Sequence, residues 1–271
     1  MTAPVVTLLT DYGLKDDFVG VCHGVIATIC PGARIIDINH GVRRHDIRAG
    51  ALSLRGALPY MPVGVHVAVV DPDVGAARRA VALRLADGRL LVGPDNGLLW
   101  LAAQAGAGVL EAVDIAQSPF RLEPLSATFH GRDIFSPVAA QLAAGATLAE
   151  AGEPLAPEEL IALELPPPRV EAEALVAHAI YVDGFGNVQL NADHRDLARA
   201  GLKLGGAIVL ESPRLERARA GHYVRTFADA RPGEMIVYED AYRMLAVAIS
   251  HGDAAETLGL SADDELRISP A

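Results

Sequence analysis

Pro166, Pro167 and Pro168 stand in a row within the stretch LELPPPRVE. Each ring fixes φ and removes a backbone donor, so neither a helix nor a central strand can run through them. Such a triplet makes a stiff, extended break, and the hydrophobic pattern differs on its two sides. The chain therefore reads as residues 1–165, a proline linker at 166–169, and residues 170–271.

Ahead of the linker, short apolar runs alternate with helical periodicity. PVVTLL, ARIIDI, VHVAVV, AVALRL, RLLVG and GVLEAV read as buried strands. DDFVGVCHGVIATIC, DIRAGALSLRGALPY, GLLWLAAQ and RDIFSPVAAQLAAG read as helices, the last closed by Gly145. This alternation predicts an α/β domain with a central, largely parallel or mixed sheet. Polar residues cluster just after the strands, where open α/β sheets place ligands. Behind the linker, ALVAHAIYV, NVQLN, AIVL, MIVY and RMLAVAI are separated by turns with little helical signal. They predict a smaller all-β, barrel-like domain.

Composition narrows the function. Half of the 271 residues are hydrophobic (51%), enough for a sizeable core. A net charge of −11 without a basic block argues against nucleic acid or an anionic membrane as partner. No apolar run is long enough to span a bilayer. MTAPVVTLLTDYG has no basic leader region or cleavage signature, so no export signal is expected. Cys22 and Cys30 are too far apart on one helix to pair, and they have no metal-binding spacing. A reducing cytoplasm fits best.

Five stretches could carry chemistry. In LLTDYGLKDDFVG, Asp11 directly follows a strand and could accept hydroxyl hydrogen bonds, as from a ribose diol. Asp16 suits the start of the following helix as a cap. Asp11, Asp16 and Asp17 could alternatively hold a hard cation, but no second acidic cluster joins them. In VHVAVVDPDVGAARRAVALRL, Arg78 and Arg79 precede a strand, so their side chains point opposite ways. The inward one needs a partner, and Asp71 is placed to be it. In ATFHGRDIFSP, His130 precedes a helix and could be either structural or catalytic. VGPDNGLL reads as a turn that structure alone explains. In IYVDGFGNVQLN, Phe185 lies between two glycines and could form a plate for a base, with Asp183 and Asn187 as polar hooks. A plain hairpin turn would also account for that stretch.

Taken in order, TDYGLKDDFVG, DINHGVRRHDIRAGA, VVDPDVGAARRAV, GPDNGLL, ATFHGRDIFSPVAA and VDGFGNV resemble the S-adenosylmethionine hydroxide adenosyltransferases, or S-adenosylmethionine hydrolases. These are relatives of the fluorinases and chlorinases. The resemblance spans nearly the whole chain, including TFADARPGEM and the proline boundary. It implies that water or hydroxide attacks C5′ of S-adenosylmethionine (SAM), releasing L-methionine and adenosine, with no cofactor and no metal. It carries the Asp–Arg–His set of that family onto Asp71, Arg78 and His130. It implies ribose binding by Asp11, adenine between Phe185 and Phe227, an adenine-edge contact from Asn187, and the methionine ammonium on Asp183. It also implies a homotrimer with sites at subunit interfaces. The halogenating relatives carry Tyr where Asp71 stands, and a carboxylate would repel a halide, so hydroxide is the expected nucleophile. There are departures. Asp73 replaces the glycine of the usual DPGVG loop, which would be costly if that position needs a positive φ. Ala241 and Tyr242 replace residues expected at the methionine end.

Overall fold

A computed structural model describes residues 3–271; Met1 and Thr2, at the start of the MTAPVVTLLTDYG stretch read above, lie outside the described residues. The chain divides into two compact units, Met1–Leu163 and Glu164–Ala271, and the proline triplet falls near the start of the second.

The first unit contains strands β1 (Val5–Thr10), β2 (Arg34–Asn39), β3 (Val65–Val69), β4 (Ala80–Leu85), β5 (Leu90–Pro94), β6 (Val109–Asp114) and β7 (Glu153–Leu155). Its helices are α1 (Phe18–Ile29), α2 (Ile47–Ala57), α3 (Trp100–Ala105), α4 (Ser136–Ala143) and α5 (Leu148–Ala151). The sheet runs β2-β1-β3-β5-β4-β6-β7. It is mixed: the pairs among β2, β1, β3 and β5 are parallel, and the pairs beyond β5 are antiparallel. The four residues between β4 and β5 are too few for a crossover and force a hairpin. Every residue of β1 and β3 is buried, Thr7, Thr10 and His66 among them, as befits central parallel strands covered on both faces. Helices α1 and α4 pack together over Val6, Leu8, Val65, Val67 and Val69. Helices α2 and α3 form a separate pair, with Gly50 of α2 seated against Val70 and Leu98.

Buried within β3, His66 bonds Thr7 Oγ1 through Nδ1 at 2.9 Å, and its Nε2 finds no hydrogen-bond partner. Burial, then the Arg89 charge, lowers its pKa from 6.5 to about 4. The native ring stays neutral where the unfolded ring takes a proton, so acid favours unfolding. Stability is expected to fall by a few kcal/mol, about 3 at most, as pH drops from about 6.5 to about 4. Denaturant melts of the wild type and His66→Gln across that window would show a shallower pH slope in the variant.

The second unit contains β8 (Arg169–Glu171), β9 (Ala174–Val182), β10 (Val188–Leu190), β11 (Ala207–Glu211), β12 (Arg219–Tyr223), β13 (Met235–Glu239), β14 (Leu245–Ile249) and β15 (Glu265–Pro270). Its short helices are α6 (His194–Arg199) and α7 (Ala254–Leu258). Strands β10-β14-β13-β12-β11-β15-β9 close through a β9–β10 pairing into a seven-stranded barrel, and β8 is added alongside β9. The barrel is filled by residues such as Leu175, Ala177, Val188, Leu190, Ile208, Leu210, Val237, Val247, Leu266 and Ile268. No helix in the described residues is long and apolar enough to cross a membrane.

Candidate functional site

From β1 the chain crosses to β2 on one side and then to β3 on the other, so the strand order reverses between β1 and β3. Ligands of open α/β sheets bind at such a point, beyond the carboxyl ends of the strands. Thr10 pairs with Val69 in parallel register, so Asp11 and Asp71 both emerge at that edge. The amide side chain of Asn96, in the GPDNG turn, donates to Val70 O at 2.9 Å and pins the chain just before Asp71.

The loop after β3 returns a guanidinium to that carboxylate. Arg78 Nε donates to both oxygens of Asp71, each at 3.0 Å, and Nη2 donates to Oδ2. Nη2 also donates to His130 Nδ1 at 3.0 Å, and Nη1 donates to Arg79 O at 3.3 Å. The Arg78 guanidinium lies over the Phe135 ring, 5.2 Å from its centre. The two side chains are only 5% (Asp71) and 9% (Arg78) exposed, so this ion pair is shielded from water. As alternation along the strand requires, Arg79 points the other way, to Asp95 Oδ2 at 2.9 Å and to Glu159.

His130 arrives from a distant segment, and two backbone features put it there. Gly75, at φ +82°, lies so close to the Ala127 carbonyl that a Cβ would overlap it. The chain then enters a π-type turn at 131–135, a distortion common at functional sites, before α4. Buried Asp133 in that turn accepts from Ser126 N at 2.8 Å and pairs with Arg132. Gly131 is in contact with the Tyr12 hydroxyl, which leaves no space for a side chain.

An arginine N–H can only donate, so His130 Nδ1 must be the acceptor and carries no proton. Burial, then the Arg78 charge, pushes the His130 pKa down; Asp71, Asp133 and a backbone hydrogen bond with Ser126 act the other way without reversing it. The ring is therefore neutral. Burial also holds the Tyr12 phenol well above its usual range.

Asp11 accepts from His45 N at 2.9 Å through one oxygen. Asp16 does not cap α1. Asp17 holds the capping position in a helical conformation and makes no side-chain cap bond, because a helical backbone there does not aim the carboxylate at the free amides. Among the described residues Asp11, Asp16 and Asp17 form no cation-sized cluster. Asp73 is exposed and its φ is not positive, so its replacement of a glycine carries no such cost; a positive φ falls two residues later, on Gly75.

In the second unit, Asp183, Phe185, Asn187 and Phe227 come together around a hollow of about 390 Å³. Tyr181, Gln189, Tyr238, Asp240, Ala241, Tyr242 and Ala246 complete its lining. The β9–β10 turn is organised by Asp183, whose Oδ1 accepts from Phe185 N (2.8 Å) and Asn187 N (3.0 Å) and whose Oδ2 accepts from Asn187 Nδ2 (2.8 Å). Phe185 stands out from that turn, 82% exposed. Phe227 packs on Tyr238 with ring centres 4.8 Å apart. Burial, then Asp183 and Asp240, pushes the Tyr238 pKa up to about 12, so this phenol keeps its proton. Sequence reasoning missed Tyr181, Gln189 and Tyr238 because they sit within apolar strand runs where they read as core. Asp240 accepts from Gln189 Nε2, Tyr242 N and Met244 N and so organises the 240–244 turn.

Comparison with known proteins agrees with this architecture. Residues 6–152 match the SAM hydroxide adenosyltransferase N-terminal domain, and residues 177–267 match its C-terminal domain. An (R)-S-adenosyl-L-methionine hydrolase from Salinispora tropica is 47% identical over 98% of both chains. One from Thermus thermophilus is 36% identical over 97% of this chain and 98% of its own. A fluorinase from Actinoplanes is 28% identical over 99% of this chain and 98% of its own. The crystal structure of a conserved protein from Thermotoga maritima superposes with a TM-score of 0.90 at 34% identity, covering 97% of this chain and 99% of that one. The chain belongs to the SAM hydroxide adenosyltransferase family.

Proposed function

We propose that the protein hydrolyses S-adenosyl-L-methionine to adenosine and L-methionine by attack of water at C5′. The observation that carries this reading is the shielded Asp71–Arg78–His130 constellation at the strand-order reversal, in a chain 47% identical to a named SAM hydrolase. The substrate's sulfonium already bears positive charge and leaves as a neutral thioether, so the leaving group needs no acid. No cofactor is required. The task is to hold one water oxygen in line with the C5′–S bond and away from bulk solvent.

The hydrogen bonds support the following division of roles. Four of the five guanidinium N–H groups of Arg78 are committed to Asp71, His130 and Arg79 O, and the remaining Nη1–H is free to donate to the nucleophilic oxygen. Such a donor stabilises the negative charge that grows as the water loses its proton. Asp71 Oδ1 accepts only from Nε and retains a lone pair, whereas Oδ2 is taken by Nε and Nη2, so Asp71 is the group that accepts the proton, through Oδ1. His130 spends Nδ1 on Arg78 and serves as a neutral brace for the guanidinium. Asp11 keeps one carboxylate oxygen for the ribose hydroxyls. Phe185 and Phe227 flank adenine, and Asn187, whose amide oxygen is not used on Asp183, meets its edge. Asp183 holds the methionine ammonium through the one Oδ2 lone pair its turn leaves free.

The two residue sets lie on different units, and they serve one substrate when neighbouring subunits of a homotrimer supply them. Phe185 and Tyr242, both exposed, suit such a boundary. Sedimentation at three times the 28.4 kDa chain mass would support the trimer, and a monomer would remove it. The two free buried thiols fit a reducing cytoplasm.

Incubating the protein with SAM and chromatographing the products tests the activity. Adenosine and methionine in equal amounts are expected, and no adenosine above the protein-free rate would refute the proposal. In chloride or fluoride, no halogenated nucleoside should form. Acid dependence tests the brace: a proton on Nδ1 would confront the Arg78 N–H, so activity falls only as pH passes below the depressed His130 pKa. The acid limb of kcat/KM should lie below about 6.5, the ordinary imidazole value. An acid limb above that value would contradict it.

A further inference from the structure

Away from these residues, His23 of α1 faces Asp37 of β2 and His40, which follows it. One ligand atom from each of the three lies within 4.8 Å of the others. His23 Nε2 and His40 Nε2 approach the same oxygen, Asp37 Oδ1, at 2.8 and 3.0 Å. The His40 contact falls outside hydrogen-bond geometry, so its Nε2 has no hydrogen-bond partner although the side chain is only 3% exposed. A buried ring nitrogen beside a carboxylate, close but unbonded, is costly unless a third group joins them.

The other nitrogen of the ring is already fixed: His40 Nδ1 meets Thr10 Oγ1 at 2.8 Å in a buried contact. Metal-bound imidazoles commonly have the ring's other nitrogen held by an outer oxygen; in the tautomer where Nδ1–H donates to Thr10 Oγ1, the inner Nε2 lone pair is left for the ion. His23 and Asp37 are partly exposed, which gives an ion a way in and a water a coordination position.

We propose that His23, Asp37 and His40 form a binding site for a divalent transition-metal ion of the Zn²⁺ class. Two imidazoles and one carboxylate are borderline-soft ligands that suit Zn²⁺, whereas Mg²⁺ and Ca²⁺ favour all-oxygen sets. Tetrahedral zinc, with bonds of about 2.0–2.2 Å, needs its ligand atoms somewhat farther apart than 2.8 and 3.0 Å, and the partly exposed Asp37 side chain can supply that opening. The ion would tie α1 to the end of β2. It would also brace the Asp11 loop, because His40 O accepts from Gly13 N at 2.8 Å and Thr10 lies directly before Asp11.

The full-length protein, stripped with chelator, should be titrated with ZnCl₂ by calorimetry and with CoCl₂ by visible absorption. One equivalent of Zn²⁺ should bind, Co²⁺ should show the intense bands of a tetrahedral site, and Tm should rise with Zn²⁺. His23→Ala and Asp37→Asn, each shown to be folded by circular dichroism, should each weaken binding at least roughly tenfold. No saturable binding below about 1 mM would reduce the cluster to an ion pair and overturn the proposal. Unchanged affinity in both variants would place the ion elsewhere and overturn it equally.

Discussion

Asp71→Asn is expected to lower SAM turnover by roughly 10²-fold or more, the usual cost of a lost transition-state contact. The amide keeps the shape of the carboxylate but loses its charge and turns an N–H toward Arg78, which already has only donors to offer. The Arg78 guanidinium, 9% exposed, would then be a buried cation without its counter-charge. Breaking such a pair costs about 3–5 kcal/mol where no solvent can compensate. Tm should therefore fall with kcat, and an unaltered circular dichroism spectrum would separate the chemical loss from unfolding. His130→Gln offers the contrast, because the amide oxygen can still accept from Arg78 Nη2. It should retain more activity than Asp71→Asn. The reverse order would make His130 the proton acceptor.

Gly75→Ala should be damaging although the residue touches no substrate. The position has φ +82°, and an added methyl group would run into the Ala127 carbonyl, which is backbone and cannot rotate aside. Left-handed strain costs about 1–2 kcal/mol in any L-residue. Forced overpacking adds about 1–3 kcal/mol. The chain can relieve the overlap only by moving the Arg78 loop away from the segment that bears His130. A displacement of about 1 Å is enough to cost roughly 10²-fold in rate. Denaturant melts should show a loss of at least about 2 kcal/mol, with a fall in kcat larger than that in a matched Gly201→Ala control. Gly201 also has a positive φ (+76°) but open space around it. Equal effects would mean that strain alone matters and that the close approach does not hold the site together.

The two domain classes were legible because periodicity reports burial directly. β9 coincides with ALVAHAIYV, and β1 with the core of PVVTLL. The closure of the barrel was less so: β12, RAGHY, and β15, ELRISP, interleave polar residues and gave no strand signal of their own. The Asp71–Arg78 contact could be anticipated, since a strand forces one of two adjacent arginines inward and an inward charge needs a partner. The approach of His130 could not be read from spacing, since it lies 52 residues from Arg78 and rests on Gly75 and on a π-type turn. Motif resemblance supplied what spacing could not. The resemblance left open whether Asp73, in place of a glycine, must take a positive φ; the positive φ falls on Gly75 instead.

Turnover in oxygen-18-labelled water, followed by mass spectrometry of both products, tests the central claim most directly. Attack at C5′ by a water held on Arg78 and Asp71 puts one labelled oxygen on the 5′ carbon of every adenosine formed and none in methionine. Unlabelled adenosine, or a product other than adenosine and methionine, would contradict it.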